Sequence, residues 1–499
     1  MEASIPTVPG ARTLGLRARG AARANLAGAL GTVWACYGAP GSILLTLFLD
    51  EWLRADKWQI GLVVTMTFLG PVLEPLGAYL AERLGRRRGL FVVTFLLNRV
   101  PFLALAAIPC LGAARQCREV GIAVVLLVVG MTRIPAALGN PAWWSWMGDL
   151  VPERRRSSFF GCRQQMASAA TALSFVAGMA LLQTCGGMHN RPLVAALFGV
   201  GALFGIGDIL LYLRVPEPQL GRGVRERRGA RAADRPVTLV ASHPLTGLAV
   251  PFRHPAFRRL ILGMGLWSFS ANLVIPFLPV YQRGELIAGH RLGLGLSWLF
   301  LAALTVSASL ASMVTSRWWA RWIDRLGSRP ILLIGSGYLF VNLAYLSIPP
   351  GRYVGALVLV ALVSGTLTAA WTVSVNQVLL GVAPRANRSF YVSAYNCTNG
   401  FLMAGGPLLG GLLADRLPVV GWSLPGGLTC CYFHMLLALA AAGGAAGLAI
   451  LARVPAPTQT AEPAPVRLIW GRIVLPWRGP RGQPAAAARV DAAREYATI

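Results

Sequence analysis

Long apolar runs, separated by short polar stretches, follow one another along most of the chain. Runs such as 122–138 and 428–451 meet or approach the roughly 20 apolar residues that a helix needs to cross a bilayer. A helix satisfies its own backbone hydrogen bonds, which lipid cannot do. The pattern predicts twelve transmembrane helices, each within a few residues, at 26–49, 58–81, 90–111, 120–147, 160–182, 193–213, 257–281, 294–316, 331–349, 353–380, 390–413 and 428–451.

One long basic connection divides these twelve spans six and six. It predicts an all-α membrane protein built from two six-helix bundles. The apolar run from Leu26 is too long for a cleavable signal peptide, so we expect it to be retained as the first span. The expected domains are an N-terminal cytoplasmic segment at 1–25, a first bundle at 26–213, a basic cytoplasmic linker at 214–256, a second bundle at 257–452 and a disordered cytoplasmic tail at 453–499.

Charge is scarce but strongly positive, and its placement excludes one class of partner. Only 13% of residues are charged, against about 25% in a soluble protein. The net charge is +27, yet the arginines lie between apolar runs rather than along one face of a soluble domain, so we expect no nucleic-acid partner. The N-tail, even-numbered loops, linker and C-tail hold 34 of the 46 Lys and Arg residues, which favours both termini in the cytoplasm of a cytoplasmic-membrane protein.

Two polar motifs repeat between the halves. The sequence Glu-Arg-Leu-Gly-Arg-Arg at 82–87 follows span 2, and Asp-Arg-Leu-Gly at 324–327 follows span 8, 242 residues later. A Pro-x-x-x-Arg-Ser pattern after span 4, from Pro152, returns after span 10 from Pro384. Two matches at nearly the same period indicate a duplicated six-helix unit, so we expect the halves to be pseudo-symmetric.

The first motif resembles the signature of the major facilitator superfamily (MFS), acidic-Arg-x-Gly-Arg-Arg/Lys between spans 2 and 3. Here Glu82 stands where Asp is usual and Ala78 where Gly is usual. The resemblance implies a monomeric transporter with a cytoplasmic latch that favours one conformation of alternating access; the alternative is an orientation signal only. The latch residues would be Glu82, Arg83, Gly85, Arg86, Asp324, Arg325 and Gly327.

Ionisable residues within spans are candidates for coupling, because charge in lipid is costly. The four candidates are Glu74, Arg99, Arg133 and Asp208. A carboxylate can change its protonation during a transport cycle whereas arginine cannot readily do so, so we expect Glu74 to be the coupling group. Arg133 would be its fixed positive partner. The alternative is a structural charge network that involves no substrate.

Spans 1, 4, 7 and 10 line the cavity in the resembled family. Their polar and aromatic residues include Tyr37, Asn140, Trp143, Asn272, Trp371 and Asn376. Aromatic faces with amides suit a sugar, a nucleoside or an amphipathic organic molecule, although tryptophans near span ends are also typical interfacial anchors. The Gly-Ala-Pro-Gly sequence at 38–41 predicts a weakened or bent span 1.

These features together predict secondary active transport of a small organic solute, with protons and membrane lipids as further partners. No GxxxxGK[ST] loop and no Cys/His cluster is seen in the sequence, so we expect neither cofactor nor metal. A multidrug or metabolite exporter is the alternative by substrate. A multispan membrane enzyme or a non-transporting sensor is the alternative by class, but clustered surface acids and a folded soluble domain are both lacking in the pattern.

Overall fold

The computed structural model describes residues 11–84, 86–111, 115–151, 153–217, 250–287, 290–348, 354–382, 388–417, 419–424 and 428–454. The predicted linker and tail lie mostly outside these ranges, as does Gly85, so their expected structures stay predictions. Spans 1–6 are called the first half below, and spans 7–12 the second half.

The first half consists of helices that closely follow the predicted spans. Several are interrupted by 3₁₀ turns at prolines, where a backbone donor is missing. Their bounds are Ala11–Tyr37 and Ile43–Leu47 (span 1), Lys57–Leu69 and Glu74–Leu84 (span 2), Arg87–Arg99 and Leu103–Ala107 (span 3), Arg115–Leu150 (span 4), Glu153–Thr184 (span 5) and Arg191–Tyr212 (span 6).

The second half repeats this order. Its helices are Pro255–Val274 and Leu278–Arg283 (span 7), Trp298–Leu326 (span 8), Ser328–Gly335 and Tyr338–Val341 (span 9), Val354–Val382 (span 10), Arg388–Arg416 (span 11) and Tyr432–Leu451 (span 12). Two short antiparallel hairpins add to the predicted all-helical fold: β1 (Glu285–Ile287) pairs with β2 (His290–Leu292), and β3 (Val419–Leu424) with β4 (Leu428–Cys431). Span 12 was predicted to begin at 428, but those residues form β4 instead.

Eleven helices in the described residues are long and apolar enough to cross a membrane. They correspond to predicted spans 2–12. The first predicted span is absent from this set because its helix ends at Tyr37 and resumes only at Ile43. Gly41 takes a left-handed backbone with φ +80°, which a residue with a side chain rarely adopts. The predicted weak point at 38–41 is thus confirmed as a break, and the twelve-span count is confirmed for eleven.

Spans 2 and 11 hold the halves together by close backbone packing. A Cβ added at Gly61 would overlap the Pro407 carbonyl oxygen, and one added at Gly411 would overlap that of Lys57. The hydroxyl of Thr65 also donates to the carbonyl of Ala404 at 2.7 Å. Small residues at these crossings let two helices approach closely, as in other membrane helix pairs.

The end of the bundle where spans 1 and 2, 5 and 6, 7 and 8, and 11 and 12 are joined is called the distal end. Polar contacts connect the halves there. The Arg283 Nε lies 2.9 Å from Glu51 Oε1, and Gln183 Oε1 accepts from the backbone N–H of Trp298 at 3.1 Å. A cavity of about 320 Å³ lies between these residues. The two halves are therefore joined at the distal end.

Candidate functional site

A buried ion pair lies inside the first half. The Arg99 Nη2 is 3.7 Å from Asp208 Oδ2, and these residues are 8% and 5% exposed. The Arg99 guanidinium also lies 3.5 Å from the ring centroid of Trp34, a cation–π contact. Asn98 accepts from Arg99 Nη1 at 2.7 Å. The charges of Arg99 and Asp208 therefore compensate each other, although the Arg99 Nε has no hydrogen-bond partner among the described residues, and this pair fits the structural network that the sequence left open as an alternative.

A second arginine, Arg163, extends this network towards the end of the bundle opposite the distal end. It donates to the Ala24 carbonyl at 2.5 Å and to Tyr212 Oη at 3.3 Å. Trp143 donates to the same Tyr212 oxygen at 3.0 Å, and its ring lies 4.9 Å from the Arg163 guanidinium. Arg163 lies near the start of predicted span 5, and the sequence pattern predicts no role for it. Its distance in sequence from Tyr212 gives no signal of the contact.

Span 1 makes room for both arginine clusters by lacking side chains where they pack. An added Cβ at Gly28 would lie 2.5 Å from Arg163 Nη1, and one at Gly31 would lie 2.5 Å from Asp208 Oδ2. Either addition forces the charged group to move. A displaced buried charge loses its partner, so these two glycines are needed for the charged groups to keep their partners.

Glu74 connects the two halves. Its Oε1 accepts from Asn140 Nδ2 at 2.7 Å within the first half, and its Oε2 accepts from Asn396 Nδ2 at 3.1 Å on span 11. The described residues show amides at both carboxylate oxygens and no hydrogen bond from Arg133, so the pairing of Glu74 with Arg133 stays a prediction. Sequence reasoning missed Asn396, although an amide within an apolar helix was an available signal.

Arg133 is half-buried in span 4 and has no partner for two of its donors. Its Nε and Nη2 are shielded from solvent and make no hydrogen bond within the described part of the chain. A Cβ added at Gly70 would lie 3.8 Å from the Arg133 Cβ, so span 2 packs against this side chain. Among the described residues, the charged group that acts on Arg133 is Arg99, which is also positive. Arg133 thus contrasts with its paired neighbours.

Most of the predicted cavity residues are engaged in packing. Tyr37 donates to the Ser174 carbonyl at 2.6 Å, and Asn272 donates to the Ser268 carbonyl at 2.8 Å on its own helix. Trp371 is half-buried and stacks on Trp267 with ring centroids 3.8 Å apart. Trp143 belongs to the Arg163 cluster and Asn140 to Glu74. The side chain of Asn376 lies outside the described residues.

The predicted latch is only partly visible. The side chains of Glu82 and Asp324 and the whole of Gly85 lie outside the described residues. Arg83, Arg86 and Arg325 are exposed, and the Arg83 Nη1 lies 3.4 Å from Tyr79 Oη on its own helix. Gly327 ends span 8 with φ +85°. It turns the chain between spans 8 and 9, the role that the motif predicts for its glycine.

A second pairing at the distal end escaped the sequence analysis. Asp415, at the end of span 11, accepts from the backbone N–H groups of Lys57 and Trp58 at 2.9 and 2.8 Å. These are unsatisfied donors of the first turn of span 2, and a carboxylate there is favourable for the helix dipole. The Lys57 ammonium is itself bonded to Asp50. Lys57 and Asp415 are 358 residues apart, so their spacing in the sequence gives no sign of the contact. Lys57 and Asp50 are close in sequence, so only that pair could have been predicted.

The geometry places an inter-half carboxylate, an unpartnered arginine and a packed distal end within one helical bundle. Comparison with known structures gives the same fold. The match to the nucleoside transporter NupG covers 88% of this chain and 98% of the NupG chain, with 13% sequence identity and a TM-score of 0.58. The match to the inward-open xylose transporter XylE from E. coli covers 87% of this chain and 96% of the XylE chain, with 14% identity and a TM-score of 0.58. At such identities these likenesses show the fold alone.

Sequence comparison gives the family. A homolog of the multi-drug resistance efflux pump PmrA from Lactococcus lactis subsp. lactis (strain IL1403) is 28% identical over 177 residues. The match covers 34% of this chain and 42% of that protein's length. The family model of the Major Facilitator Superfamily matches residues 26–378. The chain therefore belongs to the Major Facilitator Superfamily, and it is a multi-pass membrane transporter rather than an enzyme.

Proposed function

We propose that the protein performs secondary active transport of a small organic solute, coupled to protons at Glu74. The observation that carries the proposal is the bridge from Glu74 to Asn140 in one half and Asn396 in the other. Alternating access requires the halves to change their contacts around a central site. A carboxylate that bonds across the halves changes its environment whenever they separate.

Protonation would change this bridge directly. An ionised carboxylate accepts hydrogen bonds from both amides, whereas a protonated carboxyl has one oxygen that donates instead. Loss of one charge-assisted bond between the halves weakens the conformation that contains it. Protonation of Glu74 would thus favour the state in which spans 2 and 11 move apart near Asn396.

The test uses purified protein in vesicles with an imposed pH difference. Glu74→Gln keeps the size of the side chain but cannot take up a proton. We expect it to abolish pH-driven accumulation of solute and to retain exchange of solute across the membrane. Glu217→Gln is the control, because Glu217 accepts from the Arg87 backbone at the linker end and not between the halves. Accumulation against a gradient by Glu74→Gln would falsify the coupling role.

Direction and orientation form a further part of the proposal. The proposal covers uptake and efflux alike, and the efflux-pump relative supports a multidrug or metabolite exporter as the second candidate. We propose a monomer in the cytoplasmic membrane with both termini inside. Reporters fused at Gly229 and after Pro455 should then read cytoplasmic, and one at Gly289 periplasmic. A periplasmic result at Gly229 would overturn this orientation.

The latch is proposed from the repeated motif. Glu82→Gln and Asp324→Asn should reduce transport while the protein remains in the membrane, because a contact made in one conformation would be lost. They should also increase labelling of cysteines on the cytoplasmic side of the cavity. If both variants keep normal transport and labelling, the motif is an orientation signal only.

A further inference from the structure

Arg133 is the half-buried intramembrane charge that the proposed coupling mechanism leaves unused. A buried arginine is costly in a membrane span unless a partner compensates it. The acidic groups described inside the first half are already engaged. Asp208 pairs with Arg99, and the two oxygens of Glu74 accept from Asn140 and Asn396. A partner for Arg133 must therefore come from elsewhere or from a large rearrangement.

The two unpartnered atoms define what that partner should be. The Nε–H and one N–H of Nη2 point in the same direction, along one edge of the guanidinium plane. This edge forms two parallel hydrogen bonds to the two oxygens of a carboxylate. Both atoms are shielded from solvent. A bound oxyanion would satisfy both donors at once and neutralise the charge.

The surroundings of Arg133 also favour an anion. The charged group that acts on Arg133 is Arg99, itself paired with Asp208, so no acid among the described residues compensates the charge of Arg133. Asn140 lies two helical turns further along span 4, about 10 Å away at 1.5 Å per residue, and bonds to Glu74. The Arg133 side chain and the bond between Asn140 and Glu74 are thus about two helical turns apart along span 4.

We propose that Arg133 binds the carboxylate of the transported solute, so that the substrate is a small organic acid. This inference rests on the proposed transport function and names its substrate class. The negative charge of the solute would replace the missing partner of Arg133. A proton on Glu74 would then reduce repulsion between the solute and the nearby acid, which joins the two binding events.

The test measures thermal unfolding of the full chain in lipid nanodiscs by tryptophan fluorescence. The probes are two matched pairs, benzoate with benzamide and succinate with succinamide. We expect at least one carboxylate to raise the melting temperature of the wild type by about 2 °C or more, with no such rise for its amide. Arg133→Gln should lose the shift, Arg133→Lys should keep part of it, and Arg321→Gln, at an exposed arginine on span 8, should keep all of it.

The melting temperature without ligand shows whether Arg133→Gln still folds as the wild type does. Because Arg133 has no partner, Arg133→Gln should unfold at the same temperature as the empty wild type or higher. A clear decrease would mean that Arg133 has a structural partner, and the proposal would fall. It would fall equally if no carboxylate shifts the wild type, or if each amide shifts it as much as its acid.

Transport separates this inference from the function on which it rests. If vesicles accumulate an uncharged solute under a pH difference, and Arg133→Gln accumulates it equally well, the transporter function stands and the anion site is rejected. If Glu74→Gln accumulates the same carboxylate as the wild type, proton coupling at Glu74 fails while carboxylate binding at Arg133 stands.

Discussion

The two halves share one architecture but bury different chemistry. The interior of the first half contains the Arg99–Asp208 pair, Arg163 and the unpartnered Arg133. Among the described residues of the second half, the fully buried basic or acidic group is His434, which lies 3.1 Å from Tyr281 Oη. Arg329 is half-buried there, at the start of span 9, and donates to the Ala452 carbonyl. The corresponding space is otherwise filled by aromatic rings, amides and hydroxyl groups.

This difference separates two ways of holding a membrane bundle together. Charged groups in the first half are held by specific partners, so each depends on the others. The second half relies on ring contacts, such as Trp267 on Trp371, and on neutral hydrogen bonds, such as Gln282 to Tyr345 Oη at 2.8 Å. We expect ionic coupling to be concentrated in the first half and packing to dominate in the second.

The largest effect is expected from breaking the buried pair. Asp208→Asn leaves Arg99 charged and uncompensated, which should cost about 3–5 kcal/mol of stability. Thermal unfolding followed by tryptophan fluorescence measures it. The double variant Arg99→Gln, Asp208→Asn should be more stable than Asp208→Asn alone, because no unpaired charge remains. Equal stability of Asp208→Asn and the wild type would remove the electrostatic distinction between the halves.

A matched change in the second half should cost less and leave coupling intact. Trp371→Leu removes the stack on Trp267 and part of the buried area, at about 1–3 kcal/mol. No charge is exposed or stranded by the change. The dependence of transport on pH should therefore match that of the wild type. A displaced pH profile in this variant would show that coupling extends across both halves.

A smaller effect is expected where the halves meet at the distal end. Glu51 and Arg283 have side chains about one-fifth exposed, so Glu51→Gln should weaken the contact by no more than about 1 kcal/mol. That amount changes a conformational equilibrium up to about fivefold. Labelling of a cysteine placed at Ser297 should become faster, while the control Arg416→Gln, an exposed charge at the same end, should leave it unchanged. Identical labelling in both variants would argue against a role in closure.

The smallest effect on stability is expected at Arg83. The side chain is exposed and its polar contact is with Tyr79 on its own helix. Arg83→Gln should change the free energy of unfolding by less than about 0.5 kcal/mol. Any loss of transport in this variant would then reflect the conformational equilibrium and not the folded state. A drop in melting temperature comparable to that of Asp208→Asn would contradict this separation.

Local pattern was enough for the membrane fold. The length of each apolar run predicted eleven of the spans, since a helix must cover the bilayer whatever its neighbours are. The sequence at 38–41 predicted the break in span 1, and Gly327 acts as its motif suggests, because both depend on backbone conformation alone. The repeated motifs predicted the family by resemblance, and the family match agrees.

Partnership between distant residues could be decided only by the tertiary structure. From the pattern alone we expected Glu74 to have an arginine partner, because an acid and a base inside apolar spans are expected to pair. The fold instead directs Asn140 and Asn396 to the carboxylate and leaves the Arg133 edge without a partner. Which face of a helix meets which neighbour depends on the rotation of each span about its axis and on the angles at which spans cross. The hydropathy of the sequence carries little information about either. Sequence therefore determined what crosses the membrane, and packing decided which charges have partners within the fold and which do not.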